Sequence, residues 1–118
     1  MPNRISHFEI MGGEGSKLQD FYRDAFQWSV KADNPMNYGM VATGGASDVG
    51  GGIGASMDGK PYVTVYIEVD DPAAAHEKVK QLGGQVVMEP AEVPGGPTIA
   101  QFKDPAGNLV GLVKANSM

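Results

Sequence analysis

Residues 5–10, in which Phe8 and Ile10 share one face and His7 and Glu9 the other, read as a short strand. A helical spacing follows, in which Leu18, Phe21, Tyr22, Ala25 and Phe26 form one stripe expected to be buried, with Ser16 as its expected N-cap. Residues 28–31, 38–42 and 52–57 read as three further strands, divided by Asn34-Pro35 and a glycine-rich loop over 44–51. The pattern then starts again at Tyr62. Val63, Val65, Ile67 and Val69 point one way, and Tyr62, Thr64, Tyr66 and Glu68 the other. Asp71 suits an N-cap and Pro72 a first helical position. Gly83-Gly84 supplies a stop after a helix bearing Ala75, Val79 and Leu82. Residues 86–89, 98–103 and 109–114 complete a second set of three strands, so the order βαβββ occurs twice.

The expected sheet buries Phe8, Ile10, Val65, Ile67, Val69, Phe102 and Leu112 beneath helices bearing Phe21, Tyr22, Val79 and Leu82. The 118 residues make one domain, 1–118, of two modules, about 1–58 and about 61–118. An apolar fraction of 42% suffices for one core.

Composition narrows the chemistry. The chain has no cysteine, which removes disulfides, thiolate catalysis and Cys-ligated metal centres. Its two histidines, His7 and His76, exclude a three-histidine metal site within the chain. A net charge of −5, without a block of Lys or Arg, argues against nucleic acid as a partner. No stretch has the length of a membrane span or a signal core, so a soluble, cytoplasmic protein is expected. No Gly-x-Ser-x-Gly elbow is present. Gly12-Gly13-Glu14-Gly15-Ser16-Lys17 stands where a phosphate loop would, yet it lacks the Gly-Lys-Ser/Thr order and carries a repelling carboxylate, so nucleotide binding is rejected.

Several motifs occur together: Phe21-Tyr22, Phe26-Gln27-Trp28, Tyr66-Ile67-Glu68-Val69-Asp70-Asp71, Leu82-Gly83-Gly84, and Phe102-Lys103-Asp104-Pro105-Ala106-Gly107-Asn108. Jointly they resemble the vicinal oxygen chelate superfamily of glyoxalases, bleomycin resistance proteins and extradiol dioxygenases, across essentially the whole chain. Asp104 to Gly107 is also good tight-turn chemistry in its own right. The resemblance implies an α+β fold whose two βαβββ modules form a curved, partly open eight-stranded mixed sheet, with helices outside and a cleft within. It also implies a homodimer and, in metal-dependent relatives, one cleft-facing ligand from the first and last strand of each module. Those four positions correspond here to His7, Gly54, Thr64 and Gly111. Only His7 can ligate, so no metal or other cofactor is expected. A divalent ion (Zn, Ni, Mn or Fe) on a rearranged set of His7, Glu9 and Glu68 is the alternative.

A small organic molecule is therefore the expected partner. It is bound in the cleft, sequestered or transformed without metal; the alternative is a metal-dependent lyase, isomerase or dioxygenase with a non-standard ligand set. Whether the chain is an enzyme stays open, with His7, Glu9 and Glu68 as candidate acid/base groups. The candidate ligand contacts are His7, Tyr38, Met40, Gly54, Tyr62, Thr64, Tyr66, Glu68, Gln101 and Gly111. Gly54 and Gly111 are expected to leave open volume for part of the ligand, so that filling them abolishes binding with modest loss of stability. His76 is expected to lie on a solvated helix face.

Overall fold

The computed structural model describes residues 2–45 and 47–117. Along the chain run β1 (Ile5–Gly12), α1 (Gly15–Phe26), β2 (Ser29–Lys31), β3 (Gly39–Ala42), β4 (Gly50–Ala55), β5 (Tyr62–Val69), α2 (Pro72–Gln81), β6 (Gln85–Glu92), β7 (Thr98–Lys103) and β8 (Leu109–Lys114). This is the βαβββ order, twice. Two compact units result: one is Ser6–Thr64, and the other gathers the residues from Val65 onward with those before Ser6.

In the first unit the strand order is β2-β3-β4-β1. β1 and β4 are parallel, and β4, β3 and β2 follow antiparallel. Alternation along β1 sends Phe8 and Ile10 to the helix side, where with Leu18, Tyr22 and Trp28 they pack on buried Val30, Val41 and Ile53. A β-carbon at Gly51 would overlap the Phe8 ring, so that glycine makes room for an aromatic side chain on the sheet.

α1 begins two residues earlier than Ser16 suggests. Glu14 is the N-cap, without a side-chain capping bond, and a β-carbon at Gly15 would stand 2.8 Å from the Ala55 backbone nitrogen. Close approach of helix to strand, rather than a capping hydroxyl, sets this end. The helix closes on Gln27, left-handed at φ 59°, whose N–H donates to the Arg23 carbonyl. Part of the expected buried stripe is on the surface: Phe21 and Phe26 are each 59% exposed, and Ala25 is exposed too. The face turned to the sheet instead carries Gly15, Leu18, Gln19 and Tyr22. Gln19 is buried, and its Nε2 donates to the carbonyls of Ile53 at 2.7 Å and Asn37 at 3.0 Å. A buried amide is tolerated there because it satisfies backbone acceptors.

The second unit has the order β5-β8-β7-β6, with β5 and β8 parallel and the rest antiparallel. α2 is bounded as its sequence predicts. Asp71 accepts from the Ala73 and Ala74 backbone, Pro72 takes the first turn, and Gly83 is left-handed at φ 97°. Asp104 Oδ1 accepts from the N–H groups of Ala106 and Asn108, and Gly107 has φ 93°, which makes 104–108 a self-bonded tight turn.

Two expectations fail on burial. Leu82 is 72% exposed, because it is the residue that closes the end of α2. His76 is 2% exposed rather than solvated, and neither ring nitrogen has a hydrogen-bond partner. It projects from the inward face of α2, which packs on β6, β7 and β8.

Candidate functional site

The first unit brings four of the expected residues together on the sheet face opposite the helix. His7 and Glu9 share the parity of β1 that Phe8 and Ile10 do not. In the parallel register His7 stands beside Gly50 and Glu9 beside Gly52, and Gly52 in turn pairs with Met40. Across Gly52 and Gly54 lies Tyr38. A β-carbon at Gly52 would overlap its hydroxyl, and one at Gly54 would lie 3.3 Å from its ring. Tyr38 is set there by its own loop, in which Asn34 donates to the Tyr38 carbonyl at 2.7 Å and accepts from its N–H at 2.9 Å.

Glu9, 8% exposed, is the centre of the group. Tyr38 Oη donates to Glu9 Oε2 at 2.9 Å, and Tyr62 Oη donates to Glu9 Oε1 at 3.0 Å. The Tyr38 oxygen also lies 2.9 Å from His7 Nε2, with the two rings inclined by 20°. A phenol has one proton. With that proton given to Glu9, the Tyr38 oxygen accepts from His7, which assigns the hydrogen to Nε2. The result is a chain from imidazole through phenol to carboxylate, an arrangement able to exchange protons with a bound molecule.

Burial holds the His7 imidazole below its ordinary value of 6.5, against a smaller upward pull from the Glu9 charge. In the unfolded chain the ring titrates near the ordinary value. As pH falls through it, the unfolded chain takes up a proton that the folded one resists, so stability should decline and then level off below the folded value. Urea midpoints at pH about 7.5 and about 5.5 should differ less in His7→Gln than in the wild type. Equal differences would mean that His7 does not contribute. Glu9→Gln removes the upward pull, so the His7 midpoint followed by NMR should fall further.

The other candidates are elsewhere or covered. Thr64 is buried in the same unit, and Met40 is 48% exposed. In the second unit Tyr66 is 3% exposed, its ring lies where a Gly111 side chain would be, and Gln101 Nε2 stands 3.4 Å from its hydroxyl. Glu68 is half-buried, and its backbone bonds to Asn3 and Arg4. The open volume expected above Gly54 and Gly111 is thus taken by Tyr38 and Tyr66, because a glycine on a strand admits a neighbouring aromatic ring as readily as a ligand.

These side chains offer few donors for a metal. Gly54 and Gly111 have no donor, each Glu9 oxygen already accepts from a phenol, and among the described residues no three His, Asp or Glu side chains are grouped to hold an ion. No helix among the described residues is long and apolar enough to cross a membrane.

Residues 4–112 match the Glyoxalase/Bleomycin resistance protein/Dioxygenase superfamily. The chain is 30% identical over 125 residues to the "Probable lactoylglutathione lyase" of Vibrio cholerae, covering 95% of this chain and 91% of that one. It is 42% identical over 123 residues to the anthracycline biosynthesis protein DnrV of Streptomyces peucetius, covering 90% of this chain and 45% of that one. Mycobacterial relatives named as glyoxylases match 79 residues, 66% of this chain, at 38% identity, and the chain spans only 30% of their length. Among solved structures, methylmalonyl-CoA epimerase from Mycobacterium tuberculosis superposes with a TM-score of 0.67 over 93% of this chain and 86% of that one, at 17% identity. With the βαβββ order present twice and nearly the whole chain matched, the protein belongs to the Glyoxalase/Bleomycin resistance protein/Dioxygenase superfamily.

Proposed function

We propose that this chain binds a small organic molecule without a metal ion, as a cytoplasmic homodimer, and that the ligand meets the first unit at His7, Tyr38, Glu9 and Tyr62. The observation that carries this reading is the Glu9 carboxylate, held by two phenols, one of which also meets His7. Such a group is pre-organised, so it can orient a polar ligand and exchange a proton with it at little further ordering cost. Similarity to proteins named for a glutathione adduct, a CoA thioester and an anthracycline supports a small organic ligand and leaves the class to experiment.

Protein purified without chelators should carry no stoichiometric Zn, Ni, Mn or Fe, and EDTA should leave its melting temperature unchanged. S-lactoylglutathione, methylmalonyl-CoA and an anthracycline are the first probes for a thermal shift, read on the wild type and on Tyr38→Phe. A shift in the wild type that Tyr38→Phe loses supports the placement. A tightly held ion whose removal lowers the melting temperature would favour a metal-dependent lyase, isomerase or dioxygenase instead.

A further inference from the structure

We propose that Gln19 is a positioning residue for the site on the other side of the sheet, holding Tyr38 between His7 and Glu9; the inference rests on the reading of Tyr38 as a ligand contact and adds the group that sets it. Gln19 is 3% exposed on the inward face of α1, where Leu18 and Tyr22 already pack the helix on an apolar core. Packing alone does not call for an amide there, and a buried amide is costly unless its hydrogens are used. Both are used on the backbone around Tyr38. The Gln19 Nε2 donates at 3.0 Å to the carbonyl of Asn37, the residue just before Tyr38, and at 2.7 Å to the carbonyl of Ile53. Ile53 stands between Gly52 and Gly54, the two positions over which the Tyr38 ring lies. Gly39, the residue just after Tyr38, pairs with Ile53, and a β-carbon on it would stand 3.0 Å from the same Nε2.

One amide thus ties the start of β3 to β4 at the level of the ring. Alternation sends Ile53 to the helix side and Tyr38 to the other, so amide and phenol act on the same stretch of backbone from opposite faces. The loop before Tyr38 needs such a tether, because Asn37 is left-handed at φ 52°, a conformation that asparagine tolerates at some energetic cost. Ser16, one turn before Gln19 on the same helix face, accepts from Asn37 Nδ2 at 2.9 Å. Asn34 holds the Tyr38 backbone from within the loop. Without the Gln19 amide, Asn37 and Ile53 lose their common partner, and the phenol loses its fixed placement 2.9 Å from both Glu9 Oε2 and His7 Nε2. A drift of about 1 Å ends both bonds.

The His7 titration followed by NMR in the ligand-free protein tests this, with circular dichroism confirming that each variant is folded. Burial holds His7 below 6.5, and the Tyr38 ring, inclined by 20° to the imidazole and bonded to its Nε2, is part of that burial. Gln19→Met has a side chain of similar length and volume without the N–H donors. It should raise the His7 midpoint toward the ordinary value, in the same direction as Tyr38→Ala, and should raise it no further when added to Tyr38→Ala. Leu18→Ala, which loosens the same helix without touching the amide, should lower the melting temperature and leave the midpoint in place. If Gln19→Met does not fold, Gln19→Asn, which keeps the amide but draws it back by one methylene, takes its place with the same expected shift. An unmoved midpoint, or an equal movement in Leu18→Ala, makes Gln19 a packing residue and overturns the proposal. S-lactoylglutathione, methylmalonyl-CoA or an anthracycline binding the wild type and Tyr38→Phe alike overturns the ligand placement alone, because the titration is read without a ligand.

Discussion

Gly111→Val should cost about 3 kcal/mol of folding stability, at the upper end of what overpacking a core commonly costs. The added β-carbon overlaps the Cδ2–Cε2 edge of the Tyr66 ring. That ring is 3% exposed. Gly54→Ala is the contrast, since its β-carbon meets the Tyr38 ring at 3.3 Å and no other side chain closer than 3.7 Å. Urea unfolding of the two variants checks the pair. Equal, small losses would show that Tyr66 can move off Gly111 and that the second unit is looser than its packing indicates.

His76→Leu should stabilise the protein by about 1–2 kcal/mol, the usual penalty of a buried polar group left without a partner. For a domain of this size that raises the melting temperature by roughly 4–8 °C. The imidazole lies in the α2 interface with both nitrogens unbonded, and Ala100 and Leu112, the buried residues on the strand face shared with Ile67, are apolar. Leucine has a similar volume and no polar atoms to desolvate, so the helix should pack at least as well. Differential scanning calorimetry decides the matter. A lower melting temperature would mean that the imidazole makes a contribution that burial and hydrogen bonding do not reveal.

These two positions mark the edge of what local pattern conveys. Alternation along β5, the Asp71-Pro72 start and Gly83 stop of α2, the turn at Asp104, and the recurrence of βαβββ were all legible in the sequence. Each depends on residues within a few positions of one another, where backbone geometry dictates which side chains share a face. The absence of cysteine and of ligating side chains at Gly54 and Gly111 was equally plain, since it needs only a residue's identity. Capping was legible at Asp71 and not at Glu14, because the first helix is placed by the approach of Gly15 to β4, some forty residues away in the chain.

The site itself was legible only as a set of candidates. Parity aimed His7 and Glu9 at one face, but Tyr38 reaches Glu9 across 29 positions and Tyr62 across 53. Those contacts depend on the register of β1 against β4 and on a loop held by Asn34. Tertiary structure alone decided whether the glycines opposite them were empty or filled, because a missing side chain leaves space that any neighbour with the right reach can enter. It decided the burial of His76 in the same way. Helical spacing places a residue on a face, while the sheet packed against the helix determines which face is dry.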